Sequence, residues 1–225
     1  MRSTDTIETV DDRTTRARIR DAAIATFAEE GVAGTTARRV AEAAGVSPGL
    51  VMHHFESMDG LRTACDEHVV ATIREIKQGA IAEGPNLDLL AVLRESDVGP
   101  LVGYLARVLV QDSPAVERLV DELVADAEGY IADGVAQGMV RPSENPQARA
   151  AVLVLWGLGI LVLHRHVERI LGVDLTTASG ADPALAVYYA PVYEIFGGGF
   201  FTEAFAATAR EAVAGLAGNE TSKGT

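Results

Sequence analysis

Apolar residues recur along this chain at steps of three and four, and nothing alternates with a period of two for long. After Ser113, the residues Val116, Leu119, Val120, Leu123, Val124, Ala127 and Ile131 mark one face of a helix, with Glu117, Asp121, Glu122, Asp126 and Glu128 mostly on the other. Ala150 to Leu163 is apolar all round, which predicts a central, buried helix. Ser47-Pro48, Ser113-Pro114, Asn145-Pro146 and Asp182-Pro183 each set a capping side chain before a proline. That order suits an N-cap followed by N1, where the missing N–H costs nothing. The pattern predicts an all-α chain of about nine or ten helices. Asp174 to Ala181 reads as a loop, and Gly197-Gly198-Gly199 breaks the chain before a last helix near Phe201 to Leu216. The polar residues 1–11 and 218–225 read as disordered tails.

The segment from Gly31 to Leu61 has a more specific organisation. Thr35 or Thr36 can cap a short helix with Val40, Ala41 and Ala44 on its inner side, and Gly45 stands where a left-handed residue ends a helix cheaply. Ser47-Pro48 then opens a second short helix through His54. Two short helices around a Gly-containing turn form a helix-turn-helix. Ile19, Ala23, Ile24, Phe27 and Ala28 supply a supporting helix before it, and Ser57 can cap a long connector starting with Leu61. The second short helix would enter a DNA major groove with its N-terminal residues at the base edges. Gly49 removes bulk there, Leu50 can touch a thymine methyl, and His53 can reach a base edge or a phosphate. Thr36, Ser47 and His54 complete the candidate DNA-binding set, Thr36 and His54 as phosphate contacts that fix register.

Charge qualifies this reading. The 225 residues carry a net charge of −13, which DNA would repel. Divided along the chain, residues 12–62 carry seven arginines and seven acids, whereas residues 63–225 carry eleven basic and twenty-two acidic side chains. A neutral N-terminal head therefore precedes an acidic body, which must be held away from nucleic acid. Four arginines lie between positions 13 and 20.

The string TTARRVAEAAGVSPGLVMHHFESMDGL from Thr35 resembles the TetR family of transcriptional regulators. The detailed resemblance covers roughly residues 12–62; the rest matches in size, helical content and the GMVRP segment at Gly138 ahead of a long apolar helix. It implies a three-helix DNA-binding head at 12–62 and a ligand-binding and dimerisation body at 63–217. It also implies a homodimer, a double-stranded palindromic operator, and repression relieved by a small, mostly apolar effector. Tyr104, Tyr130 and Trp156 would then stand on the helices enclosing that effector, each combining apolar area with one polar handle. The helices from Asn145 and Phe201 have apolar faces suited to a four-helix bundle between subunits. Two positions depart from the family pattern: Met52 replaces a tyrosine and Met58 a lysine, both ordinarily phosphate contacts.

Other chemistries find little support. No acid stands three residues before any of the five histidines, and GxSxG, GxxxxGK[ST] and Cys-rich zinc spacings are absent. No catalytic residue, metal or cofactor is expected. His164 and His166 point to different faces and make poor shared ligands, and Cys65 reads as a half-buried structural thiol. A single cysteine and no secretory pattern fit a cytoplasmic protein, and Ala150–Leu163 is too short to span a bilayer. A helical lipid or terpenoid carrier would explain the apolar body but not the N-terminal string.

Overall fold

The computed structural model describes residues 4–83, 99–176, 182–198 and 202–208. Among these residues every regular element is helical. The α-helices are α1 (Thr4–Glu30), α2 (Ala37–Ala44), α3 (Pro48–Phe55), α4 (Met58–Glu83), α5 (Gly99–Val108), α6 (Pro114–Ala136), α7 (Pro146–Val162), α8 (His164–Leu171) and α9 (Ala186–Gly198). A 3₁₀ turn (Pro183–Leu185) precedes α9, and residues 203–208 are helical.

All four cap-proline pairs open helices. Ser47 and Ser113 accept hydrogen bonds from Leu50 N (3.2 Å) and Val116 N (3.4 Å), Asn145 Oδ1 accepts one from Ala148 N (3.0 Å), and Pro183 starts the 3₁₀ turn. The expected face of α6 is buried at Val116, Leu119, Leu123, Ala127 and Ile131.

α1 begins at Thr4, inside the segment expected to be a tail. The reason is local: no glycine or proline interrupts the sequence from Met1 to Glu30, so polarity alone does not stop the helix. Residues 1–3, 177–181 of the expected loop, 218–225 and all but residues 202–208 of the expected last helix lie outside the described residues.

The described residues up to Asp182 and those from Pro183 onward form two compact units. In the first, one core runs through Ile19, Phe27, Val40, Val51, Leu61, Val69, Tyr104, Val108 and Leu119, so α1 to α6 share a single apolar interior. The expected head–body boundary at residue 62 falls inside α4 and inside that core. α5 lies close along α1 at Gly103, where a Cβ would sit 3.1 Å from the Ala28 methyl. A smaller cluster of Ala127, Ile131 and Ala150, edged by Tyr130, Val140 and Leu153, joins α6 to α7.

The expectation that α7 is central is not met. Only Ala150 of this helix is buried, while Val152, Leu155, Trp156 and Val162 are exposed. An all-round apolar pattern shows that both faces favour cover, but not that the same chain provides it. α7 and α8 meet at a bend of 71°, and no single described helix is long and apolar enough to cross a membrane. In the second unit α9 exposes Val187, Tyr193, Ile195 and Phe196.

Candidate nucleic-acid interface

The site begins with its turns. Thr36, not Thr35, caps α2, accepting from Arg39 N at 3.3 Å; Thr35 is buried and donates to Gly31 O at 2.8 Å. Gly45 takes φ +66°, with Gly45 N bonded to Glu42 O (3.2 Å) and Val46 N to Ala41 O (2.9 Å). This pair of bonds is a Schellman ending, and Val46 packs onto the core as that motif prefers. Val40, Ala41 and Ala44 of α2, with Val51 and Phe55 of α3, are buried together against Ile19, Ala23 and Phe27 of α1.

Burial of one face of α3 fixes what the other presents. Ser47, Gly49, Met52 and His53 are exposed, and Thr36 is exposed at the start of α2. The cap bonds occupy an oxygen lone pair of Thr36 and of Ser47, leaving each hydroxyl hydrogen able to donate outward. Two of the expected contacts are less open. Leu50 is half-buried and packs onto the core, and His54 is half-buried with Nε2 enclosed. The His54 ring lies 5.6 Å from His53 and 6.3 Å from Phe55.

Gly49 lies on this exposed face with room for a side chain. A Cβ there would meet nothing closer than Ser47 Oγ at 3.9 Å, so contacts within the chain do not require glycine. Glycine inside a helix costs about 1 kcal/mol relative to alanine.

The junction to α4 is more constrained than the sequence suggests. Glu56 adopts φ +65°, unusual for a residue with a side chain, and α4 begins at Met58 rather than Leu61. Ser57 Oγ accepts from Gly60 N at 2.9 Å, and a Cβ on Gly60 would fall 2.2 Å from Phe55 O. Gly60 therefore permits the tight approach of α4 to the end of α3. Met58 is half-buried against the core, so its departure from lysine also serves packing.

The arginines of the head divide into two groups. Arg39 pairs with Glu30 (2.5 Å), Arg20 with Asp21 (2.7 Å), and Arg62 lies 3.8 Å from Asp66. Arg13, Arg16, Arg18 and Arg38 are exposed with no acidic partner among the described residues.

The three aromatic residues expected around a ligand have different surroundings. Tyr104 is fully buried, its ring 6.0 Å from that of Phe27, and its hydroxyl donates to Asp66 Oδ1 at 2.6 Å. Burial and the neighbouring Asp66 raise the phenol pKa, holding it neutral. Tyr130 is half-buried beside the α6–α7 cluster, and Trp156 is 62% exposed. Cys65 is fully buried, not half-buried as expected, and burial pushes its thiol up to about 12, with Asp66 adding to the effect. Neither the Tyr104–Asp66 tie nor the Gly60 approach is legible in the sequence, because each depends on a partner fixed only by folding.

Known proteins place this geometry. Residues 19–65 match the family model described as bacterial regulatory proteins, tetR family, and residues 96–202 match a tetracyclin repressor-like C-terminal domain. The HTH-type transcriptional regulatory protein RaaS of Mycobacterium tuberculosis is 41% identical over 158 residues, which span 69% of this chain and 74% of RaaS. The chain belongs to the TetR family of transcriptional regulators. Solved structures agree on the fold. FadR of Bacillus subtilis, crystallised with stearoyl-CoA, superposes with a TM-score of 0.57 at 15% identity, covering 82% of this chain and 99% of FadR. SmeT of Stenotrophomonas maltophilia, in complex with triclosan, gives 0.53 at 24% identity, covering 77% and 90%. The matched family is one of regulators rather than enzymes.

Proposed function

We propose that this TetR-family regulator is a cytoplasmic repressor that binds a palindromic operator as a homodimer and is released by a small, mostly apolar effector. The observation that carries the DNA-binding part is Gly49. It sits on the exposed face of α3, flanked by exposed Ser47, Met52 and His53, with no contact among the described residues to explain the missing side chain. A duplex pressed against α3 explains it, because a side chain there would hold the helix off the base edges. Thr36 and Ser47 donate to phosphates, His53 reads or anchors, and His54 and the exposed part of Leu50 complete the surface.

Pairing of two chains rests on α7. Val152 (46% exposed), Leu155 (54%) and Trp156 (62%) lie with Gly159 on a stripe at three- and four-residue spacing. A Cβ at Gly157 or Gly159 would meet nothing within 4 Å, leaving room for a second helix to approach. A stripe this apolar favours cover, and a second copy supplies a matching one by symmetry. Trp156 then serves the pairing face rather than the ligand.

The effector is proposed from the body's composition and from relatives of the same fold that hold stearoyl-CoA and triclosan. Tyr130 remains the better-placed candidate contact. Tyr104 is fully buried in the core with its hydroxyl committed to Asp66, which makes it the weaker candidate. α4 runs from the head into the shared core, so a ligand that favours one placement of α4 changes the spacing of the two heads.

Mobility shift with selection from random duplexes tests the reading. An enriched palindrome supports it; failure to enrich any sequence favours a helical carrier of apolar ligands instead.

A further inference from the structure

The head lacks phosphate-binding charge at Met52 and Met58, yet one helix outside the helix-turn-helix carries arginines with no acidic partner among the described residues. The guanidinium of Arg16 on α1 lies 4.9 Å from the centre of the Phe55 ring, the last residue of α3. A cation over an aromatic face is held in place, so α1 is fixed beside the C-terminal end of the recognition helix. From there the rings of Phe55, His54 and His53 follow one another at 6.3 and 5.6 Å, ending at exposed His53 on the outer face of α3. Arg16 itself remains exposed.

Helical geometry sorts its neighbours. At about 100° per residue, Arg13 stands one turn earlier and about 60° around from Arg16, on the same side of α1. Arg20 shares that side, but Asp21 takes its Nε and Nη2 at 2.9 and 2.7 Å. Arg18 is exposed and unpaired among the described residues, but lies about 160° around from Arg16.

We infer that Arg13 and Arg16 of α1 form a second DNA contact, gripping backbone phosphates beside the recognition helix and replacing the charge missing at Met52 and Met58. Arginine suits the task, being always charged and forked to match phosphate oxygens. Such a contact adds affinity and orientation but reads no sequence. α1 is continuous from Thr4 to Glu30 and packs into the core from Ile19 to Phe27, so the cations ride on a rigid element.

This inference rests on the proposed DNA binding, and one experiment separates the two. The salt dependence of binding is measured for the full chain, for Arg13→Gln and Arg16→Gln, and for Arg18→Gln as the opposite-face control, on the selected operator and on an unrelated duplex. Each of the first two changes is expected to flatten the slope of log K against log[salt] by about one unit on both duplexes, with the control leaving it unchanged. Arg13→Gln decides the matter alone if loss of the Phe55 contact unfolds Arg16→Gln. Unchanged slopes, or equal flattening by all three variants, overturn the contact while leaving DNA binding intact. Failure of the unaltered chain to bind any duplex overturns the reading beneath it as well.

Discussion

Tyr104 Oη donates to Asp66 Oδ1 at 2.6 Å, tying α5 to α4 inside the core that the DNA-binding head shares with the body. Burial raises the Asp66 pKa; the Tyr104 hydrogen bond and Arg62 oppose that rise. Tyr104→Phe removes the donor and leaves a largely buried carboxylate short of a partner, which costs about 1–3 kcal/mol. Denaturant unfolding measures it. The pH dependence has a definite sign. Because the folded pKa lies above the unfolded value, the folded state binds more protons between the two, and the Asp66 contribution is lost as pH rises through the folded pKa. Asp66→Asn lacks this loss, so its stability relative to the parent should improve from about pH 4 to about pH 7. A difference that stays flat or moves the other way contradicts the assignment.

Gly60→Ala should destabilise by about 1–3 kcal/mol, because the added Cβ lands 2.2 Å from Phe55 O and the α3–α4 junction must shift. Gly79→Ala, on the same helix with nothing within 4 Å, should instead stabilise by up to about 1 kcal/mol. Thermal unfolding of the pair reads both.

Ser47 caps α3 and is proposed to donate to a phosphate, two roles that substitution can separate. Ser47→Ala removes the α3 cap, at a cost of about 1 kcal/mol of stability, together with the proposed phosphate donor. Ser47→Asp keeps a capping oxygen, so unfolding should change little, but it sets a negative charge against the duplex. Mobility shift should show weaker binding for Ser47→Asp than for Ser47→Ala.

Met58→Lys restores a cation at the start of α4. Binding to all sequences should tighten and the salt slope steepen by about one unit. Since Met58 is half-buried against the core, some packing stability is lost, softened by the ability of a lysine stem to lie along the apolar surface.

Trp156 is the only tryptophan, and 62% of it is exposed in the single chain. If α7 pairs with its copy, dilution should shift the emission to the red as the dimer separates, and Trp156→Arg should sediment as a monomer. Emission independent of concentration, with an unchanged sedimentation mass for the variant, contradicts pairing through α7.

What the sequence made legible was local. A serine or asparagine before proline, or a glycine at the end of a short helix, needs only its own turn, and Ser47, Ser113, Asn145 and Gly45 all stand as their neighbours dictate. Longer-range matters were hidden. Asp66 and Tyr104 are 38 positions apart, and nothing in either neighbourhood marks them as partners. Polarity near the N-terminus suggested a tail, although the absence of a helix breaker mattered more. α7 misled for a different reason: its pattern specifies cover without specifying whose. Leu50 and His54 were read as contacts from their place in the motif, and only the packing of α3 shows how much of each is turned inward.

The most direct test of the account is the stoichiometry and spacing of binding on a selected operator. Selected duplexes should share an inverted repeat with half-site centres about 34 to 36 Å apart, or a multiple of that. Titration at concentrations well above the dissociation constant should saturate at a whole number of chain pairs per duplex. Recovery of no common sequence, or saturation at one chain per duplex, would contradict the dimeric regulator proposed here.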